Sequence, residues 1–144
     1  MQKGIAISLR YQHDHTEDAV LIYAPHRCFV YLVAEEPEYE NSFVKLEFLS
    51  AKSVRSARTE FNPAIGINPK ELGSSYIVEL TESQWPLEAH KSYSYAGTKY
   101  ESNMRHFVVA NHDIFHEILA ESFTEKLVLL GEPDHDIIKS HFSL

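Results

Sequence analysis

What most limits the folds open to this chain is a two-residue alternation of apolar and polar side chains, recurring in short runs separated by turn chemistry. Ile5, Ile7 and Leu9 alternate with Ala6, Ser8 and Arg10, the period of a strand with one buried face. Residues 12–18 are uniformly polar and read as a turn. Residues 19–24 (Ala-Val-Leu-Ile-Tyr-Ala) and 28–34 (Cys-Phe-Val-Tyr-Leu-Val-Ala) are β-prone runs on either side of Pro25-His26-Arg27, the pattern of a hairpin. With residues 5–11 they make a three-stranded meander. Residues 43–49 alternate as well, and Val44, Leu46 and Phe48 form the set that faces the core. Three or four antiparallel strands are therefore expected within residues 4–49.

Between the third and fourth runs lies Glu35-Glu36-Pro37-Glu38-Tyr39-Glu40, whose four carboxylates repel one another around a proline that cannot join a sheet ladder. It reads as an exposed loop. Residues 51–58 are ambiguous: Lys52, Arg55 and Arg58 recur every third position, as on one side of a helical turn, yet a strand fits equally well. Asn62-Pro63 and Asn68-Pro69 bracket Ala-Ile-Gly-Ile and suggest an ordered loop. Residues 76–80 (Tyr-Ile-Val-Glu-Leu) form a strand, after which Thr81 or Ser83 caps a short helix carrying Trp85, Pro86, Leu87 and Ala89 and ending near Tyr93. Residues 92–103, with Tyr93, Tyr95 and Tyr100 around Gly97, read as a long aromatic loop able to line a pocket or an interface.

The C-terminal third carries a conflict. Residues 105–110 are β-prone and Asn111-His112-Asp113 offers turn chemistry, but Phe115, Leu119, Phe123 and Leu127 recur every four residues behind Asp113, a helical spacing over 114–130. The same residues permit a hairpin in which 114–121 folds back on 105–110. Here a resemblance decides. Tyr-Ile-Val-Glu-Leu-Thr-Glu-Ser-Gln-Trp (76–85), followed by Arg-His-Phe-Val-Val-Ala-Asn-His-Asp-Ile-Phe-His-Glu-Ile-Leu-Ala-Glu-Ser-Phe (105–123), resembles a pattern in small uncharacterised bacterial proteins. It covers under a third of the chain. The resemblance implies a strand, a Trp-bearing helix and an antiparallel hairpin at 105–121, and it implies no activity.

At 144 residues the chain suits a single domain spanning 1–144 with one core and no need of disulfides, and its lone Cys28 excludes internal bridges and four-cysteine zinc motifs. No run approaches the 18 or so apolar residues of a membrane helix, and no apolar leader segment follows Met1-Gln2-Lys3-Gly4, so the expectation is cytoplasmic. A formal net charge of −8 argues against nucleic acid and against anionic membrane surfaces, and it favours encounter with basic partners.

Phosphate-binding glycine loops, the dinucleotide fingerprint and the Gly-x-Ser-x-Gly elbow are all missing from the sequence. Cys28 opens an apolar run, where cysteine acts as a small hydrophobe. Glu47 and Glu79 are candidate buried acids whose alternation also fits a solvated face. Nine histidines stand out, several beside carboxylates. His112 and His116 would share a helix face and a zinc or iron, with Glu117 or His106 completing the set. On a strand the two lie about 13 Å apart, too far for one ion.

These readings combine into an α+β fold, an antiparallel sheet of about six strands with one or two helices packed on it. The expected function is that of a small, acidic, non-catalytic binding protein, immunity- or adaptor-like, docking on a basic macromolecular partner without a cofactor. Its expected contacts are Glu35, Glu36, Glu38, Tyr39 and Glu40, with Tyr95 and Tyr100 from the aromatic loop. The alternative is a metal-dependent enzyme built on His112 and His116.

Overall fold

A computed structural model describes residues 2–35, 41–58, 65–66, 75–92 and 104–142. The alternating runs become strands: β1 (Gln2–Ser8), β2 (Val20–Ala24), β3 (Arg27–Val33), β4 (Phe43–Leu49), β5 (Ser53–Arg58), the two-residue β6 (Ile65–Gly66), β7 (Tyr76–Leu80), β8 (Arg105–Asn111), β9 (Ile114–Ala120) and β10 (Ser122–Val128). Two short helices accompany them, α1 (Trp85–Ser92) and α2 (His135–Lys139). Among the described residues the ten strands exceed the expected number of about six. They also form two sheets rather than one, in the orders β5-β9-β8-β7-β1-β6 and β10-β4-β3-β2. Every pairing is antiparallel except β1 with β6.

Two sheets arise because several strands are apolar on both faces, so one face must meet a second sheet and the other needs a further cover. Between the sheets lie Cys28, Val30 and Leu32 of β3, Val44, Leu46 and Phe48 of β4, Ile77 of β7, Phe107 and Val109 of β8, and Ile118 and Ala120 of β9. Val44, Leu46 and Phe48 are the core-facing set expected from alternation. The opposite face of the smaller sheet buries Phe29, Tyr31 and Phe43 with Val128 beneath Ile138 and Phe142 of the C-terminal segment, and the Phe43 and Phe142 rings stack at 5.1 Å. Each such large apolar side chain contributes about 1.5–3 kcal/mol on burial.

β2 and β3 form the expected hairpin, continued by β4. β1 corrects the expected meander: it leaves β2 and pairs with β7 in the other sheet, Ile7 opposite Ile77. The ambiguous residues 53–58 are a strand on β9, with Arg55 opposite Glu117 and Ser56 opposite His116. The conflict over 114–130 resolves as strand, with β8 and β9 pairing across His112-Asp113, where His112 has φ 53°, a left-handed conformation that His tolerates. The chain passes between sheets twice at one corner, fastened by the Glu121 N–H to the Leu49 carbonyl (3.0 Å) and the Lys52 N–H to the Leu119 carbonyl (2.8 Å).

Among the described residues no helix is long and apolar enough to cross a membrane. Residues 62–64, 67–69 and 93–103, expected to be loops, lie outside the described residues.

Candidate functional site

Two places concentrate polar chemistry. The first is one end of the sandwich. Residues 12–14 run beside the end of β3: the Asp14 N–H donates to the Val33 carbonyl (2.8 Å) and the Glu35 N–H to the Gln12 carbonyl (3.0 Å). The buried Asn111 amide donates to the carbonyls of Asp14 and Glu17, and Asp18 Oδ1 accepts from the N–H groups of Asp113 (2.7 Å) and Ile114 (3.0 Å). These bonds lock the 12–18 loop to the β8–β9 turn. Asp14, Glu17, Asp18, Glu35 and Asp113 thereby gather at one end.

Glu35 is exposed there, and with Asp14, Phe43, His135 and Lys139 it lines a cleft of about 530 Å³. Glu36, Glu38, Tyr39 and Glu40 continue directly from Glu35 but lie outside the described residues, as do Tyr95 and Tyr100. His112 belongs to the same end: its Nδ1 is 3.2 Å from Asp113 and 3.9 Å from Asp18, and these three residues are close enough to share an ion. Arg58, 3.9 Å from Asp113, already supplies positive charge. His116, the other half of the sequence-expected pair, is not in this group.

The second place lies where Arg55 of β5, His106 of β8 and Glu117 of β9 meet α1. Alternation puts these side chains on the face of the larger sheet turned away from the core, which Trp85 covers. His106 is buried, its ring 4.8 Å from Trp85 in an edge-on contact. Its Nε2 lies 2.7 Å from Glu117 Oε1, and its Nδ1 lies 2.5 Å from Ser83 Oγ. Glu117 is held from its other side by Arg55 in a two-point contact of 2.7 and 3.0 Å, and the Arg55 guanidinium rests 4.1 Å from the centre of the Trp85 ring. Burial alone would push the Glu117 carboxyl up, but the bonds from His106 and Arg55 outweigh it and hold the group at about 2. Glu117 is therefore an acceptor only, which fixes the hydrogen on His106 Nε2 and leaves Nδ1 to accept from the Ser83 hydroxyl. The Trp85 N–H donates to Ser83 Oγ at 3.2 Å, the local capping expected of Ser83.

A parallel arrangement sits one residue away on β9, facing the core side. The Ser56 hydroxyl is 2.6 Å from His116 Nδ1, and His116 Nε2–H donates to the Ala19 carbonyl at 3.0 Å. Burial lowers the His116 pKa. Two further histidines are buried. His135 bonds the Asn41 carbonyl, and His13 keeps Nδ1 buried without a hydrogen-bond partner, its pKa brought down to about 4 by burial and by neighbouring His15.

The remaining sequence candidates are accounted for by their neighbours. Glu47 meets Arg27 at 3.4 Å and Glu79 meets Arg105 at 2.6 Å, so neither stands as a lone buried acid. Cys28 is fully buried, and burial pushes its thiol up to about 11, away from the reactive thiolate. From sequence Ser83 stands out only as a cap and Arg55 only as one of three evenly spaced cations. The usable signal was the alternation of β5, β8 and β9, which puts a cation, a histidine and a carboxylate on one sheet face. No family model, no curated protein and no solved structure matches this chain.

Proposed function

We propose that the chain is a binding protein that docks on a basic macromolecular partner through the acidic end of its sandwich. The supporting observation is the interlocking of the 12–18 loop, the end of β3 and the β8–β9 turn, which brings five carboxylates together where the Glu-rich stretch 35–40 begins. Clustered, solvated carboxylates attract a cationic surface over about a Debye length and speed encounter more than they tighten the final complex. Tyr39, and Tyr95 and Tyr100 from the aromatic loop, supply amphipathic rings of the kind that anchor interfaces.

A partner captured from the native host should be basic. Changing Glu35, Glu36, Glu38 and Glu40 to Lys should slow its association about tenfold and flatten the salt dependence of the rate, with folding unchanged because these groups carry no core contact expected from sequence. An unchanged association rate would remove the loop from the interface, and an acidic or small-molecule partner would defeat the proposal. The metal-enzyme alternative rests on the Asp18, His112 and Asp113 group rather than on the His112 and His116 pair.

A further inference from the structure

We propose that Ser83, His106 and Glu117 form a centre that hydrolyses small carboxylic esters, with Ser83 as nucleophile, His106 as general base and Glu117 as positioning residue. This activity is independent of the docking end and uses none of its residues. Three geometric facts support it. The hydroxyl of Ser83 and Nδ1 of His106 are 2.5 Å apart, the carboxylate of Glu117 meets the opposite ring nitrogen at 2.7 Å, and the base is buried while the nucleophile remains partly exposed. This is the relation of roles that defines a nucleophile, base and orienting acid, independent of sequence order or fold. Arg55 adds a fourth element, since its two bonds keep Glu117 ionised and fixed in plane.

In the reaction, Ser83 Oγ bonds to the acyl carbon as its proton passes to His106 Nδ1. The Nε2–H stays with Glu117, whose negative charge stabilises the imidazolium. Collapse breaks the bond to the leaving oxygen, which takes the proton from Nδ1 as the alcohol departs. Water then gives a proton to Nδ1 while its oxygen bonds to the acyl carbon. Ser83 Oγ leaves and recovers that proton, so that ester and water become acid and alcohol. The Trp85 N–H, which donates to Oγ at 3.2 Å, holds the Ser83 hydroxyl oxygen in place at the start of α1.

The molecule contains its own control. Ser56 and His116 make the same hydroxyl-to-Nδ1 contact at 2.6 Å, and Ser56 is exposed, but a neutral carbonyl stands where Glu117 stands for His106. A fluorophosphonate added to the full chain should therefore form an adduct on Ser83 and not on Ser56, read by mass spectrometry of the peptides. p-Nitrophenyl acetate should be hydrolysed above the buffer rate, and Ser83→Ala should lower that rate at least about a hundredfold. Glu117→Gln, which keeps an acceptor oxygen, should lower kcat comparably with KM little changed, a split that loss of packing alone would not give. Adduct mapping uses the unaltered protein and so does not depend on how well any variant folds. An adduct on Ser56 or elsewhere, no adduct, a wild-type rate equal to buffer, or undiminished hydrolysis by folded Ser83→Ala would each overturn the proposal.

Discussion

His106 and His116 occupy neighbouring strands of one sheet, each accepts a serine hydroxyl at Nδ1, and each is buried, yet they face opposite sides of the sheet and differ in what Nε2 meets. For His116 the partner is the Ala19 carbonyl, which fixes the tautomer and offers no charge. His106 instead meets Glu117, a carboxylate kept ionised by Arg55. A dipole rewards only the neutral ring, whereas a carboxylate also stabilises the ring once it gains a proton. On the esterase proposal it is the group behind the ring, rather than burial or a matched serine, that separates the two histidines.

Acid should separate the two arrangements most strongly. His116 has a lowered pKa and His13 is brought to about 4, so folding favours their neutral rings. Their contribution is intact above the unfolded value of 6.5 and is lost as pH falls from there towards the folded value, at a cost of about 3 kcal/mol for His13 by proton linkage. Glu117 moves from 4.5 to about 2, so its contribution, also about 3 kcal/mol, survives to pH 4.5 and disappears between there and pH 2. Urea unfolding from pH 8 to pH 2 should show two declines, and Glu117→Gln should shrink the lower one, to which Asp14 and Glu132 also contribute, while leaving the upper one in place.

A smaller effect is expected at neutral pH. Glu117→Gln leaves the Arg55 guanidinium without its counter-charge, and with Arg55 about half exposed the loss should be about 2 kcal/mol, measured as a lower urea midpoint with an unchanged slope. The gentlest break is Ser56→Ala, which deprives buried His116 Nδ1 of its donor on an edge strand that water can reach. About 1 kcal/mol should be lost, and a loss as large as that for Glu117→Gln would erase the distinction drawn between the two histidines.

The same two strands show what sequence could and could not disclose. Phe115 and Leu119 repeat at a helical interval because they share one face of β9 with the buried Glu117 between them, and both faces are buried; a spacing of four is twice a spacing of two. Where one face carries charged residues, as in β4 with Lys45 and Glu47 against Val44, Leu46 and Phe48, alternation marks both strand and orientation. Pairing of β1 with β7 left no local trace, because register between distant strands depends on the whole assembly. The acidic end was readable as charge at Glu35 but not as a meeting point with Asp14 and Asp113. Ser83 was readable as a cap, and Arg55, His106 and Glu117 as separate residues. Only the register of β5, β8 and β9 joins them.

The placement of β1 also sets a clock on synthesis. It leaves the ribosome before β2 to β6, and its antiparallel partner follows only after they have been made. The β2–β3–β4 ribbon can assemble from neighbours in the chain, while β1 must wait, solvated, with Ile7 uncovered. Closing so distant a contact is entropically slow, which makes docking of β1 a late event in folding. Until then the larger sheet presents an unfilled edge at β7, and a newly made chain is more exposed to self-association in that interval than at any time after it closes.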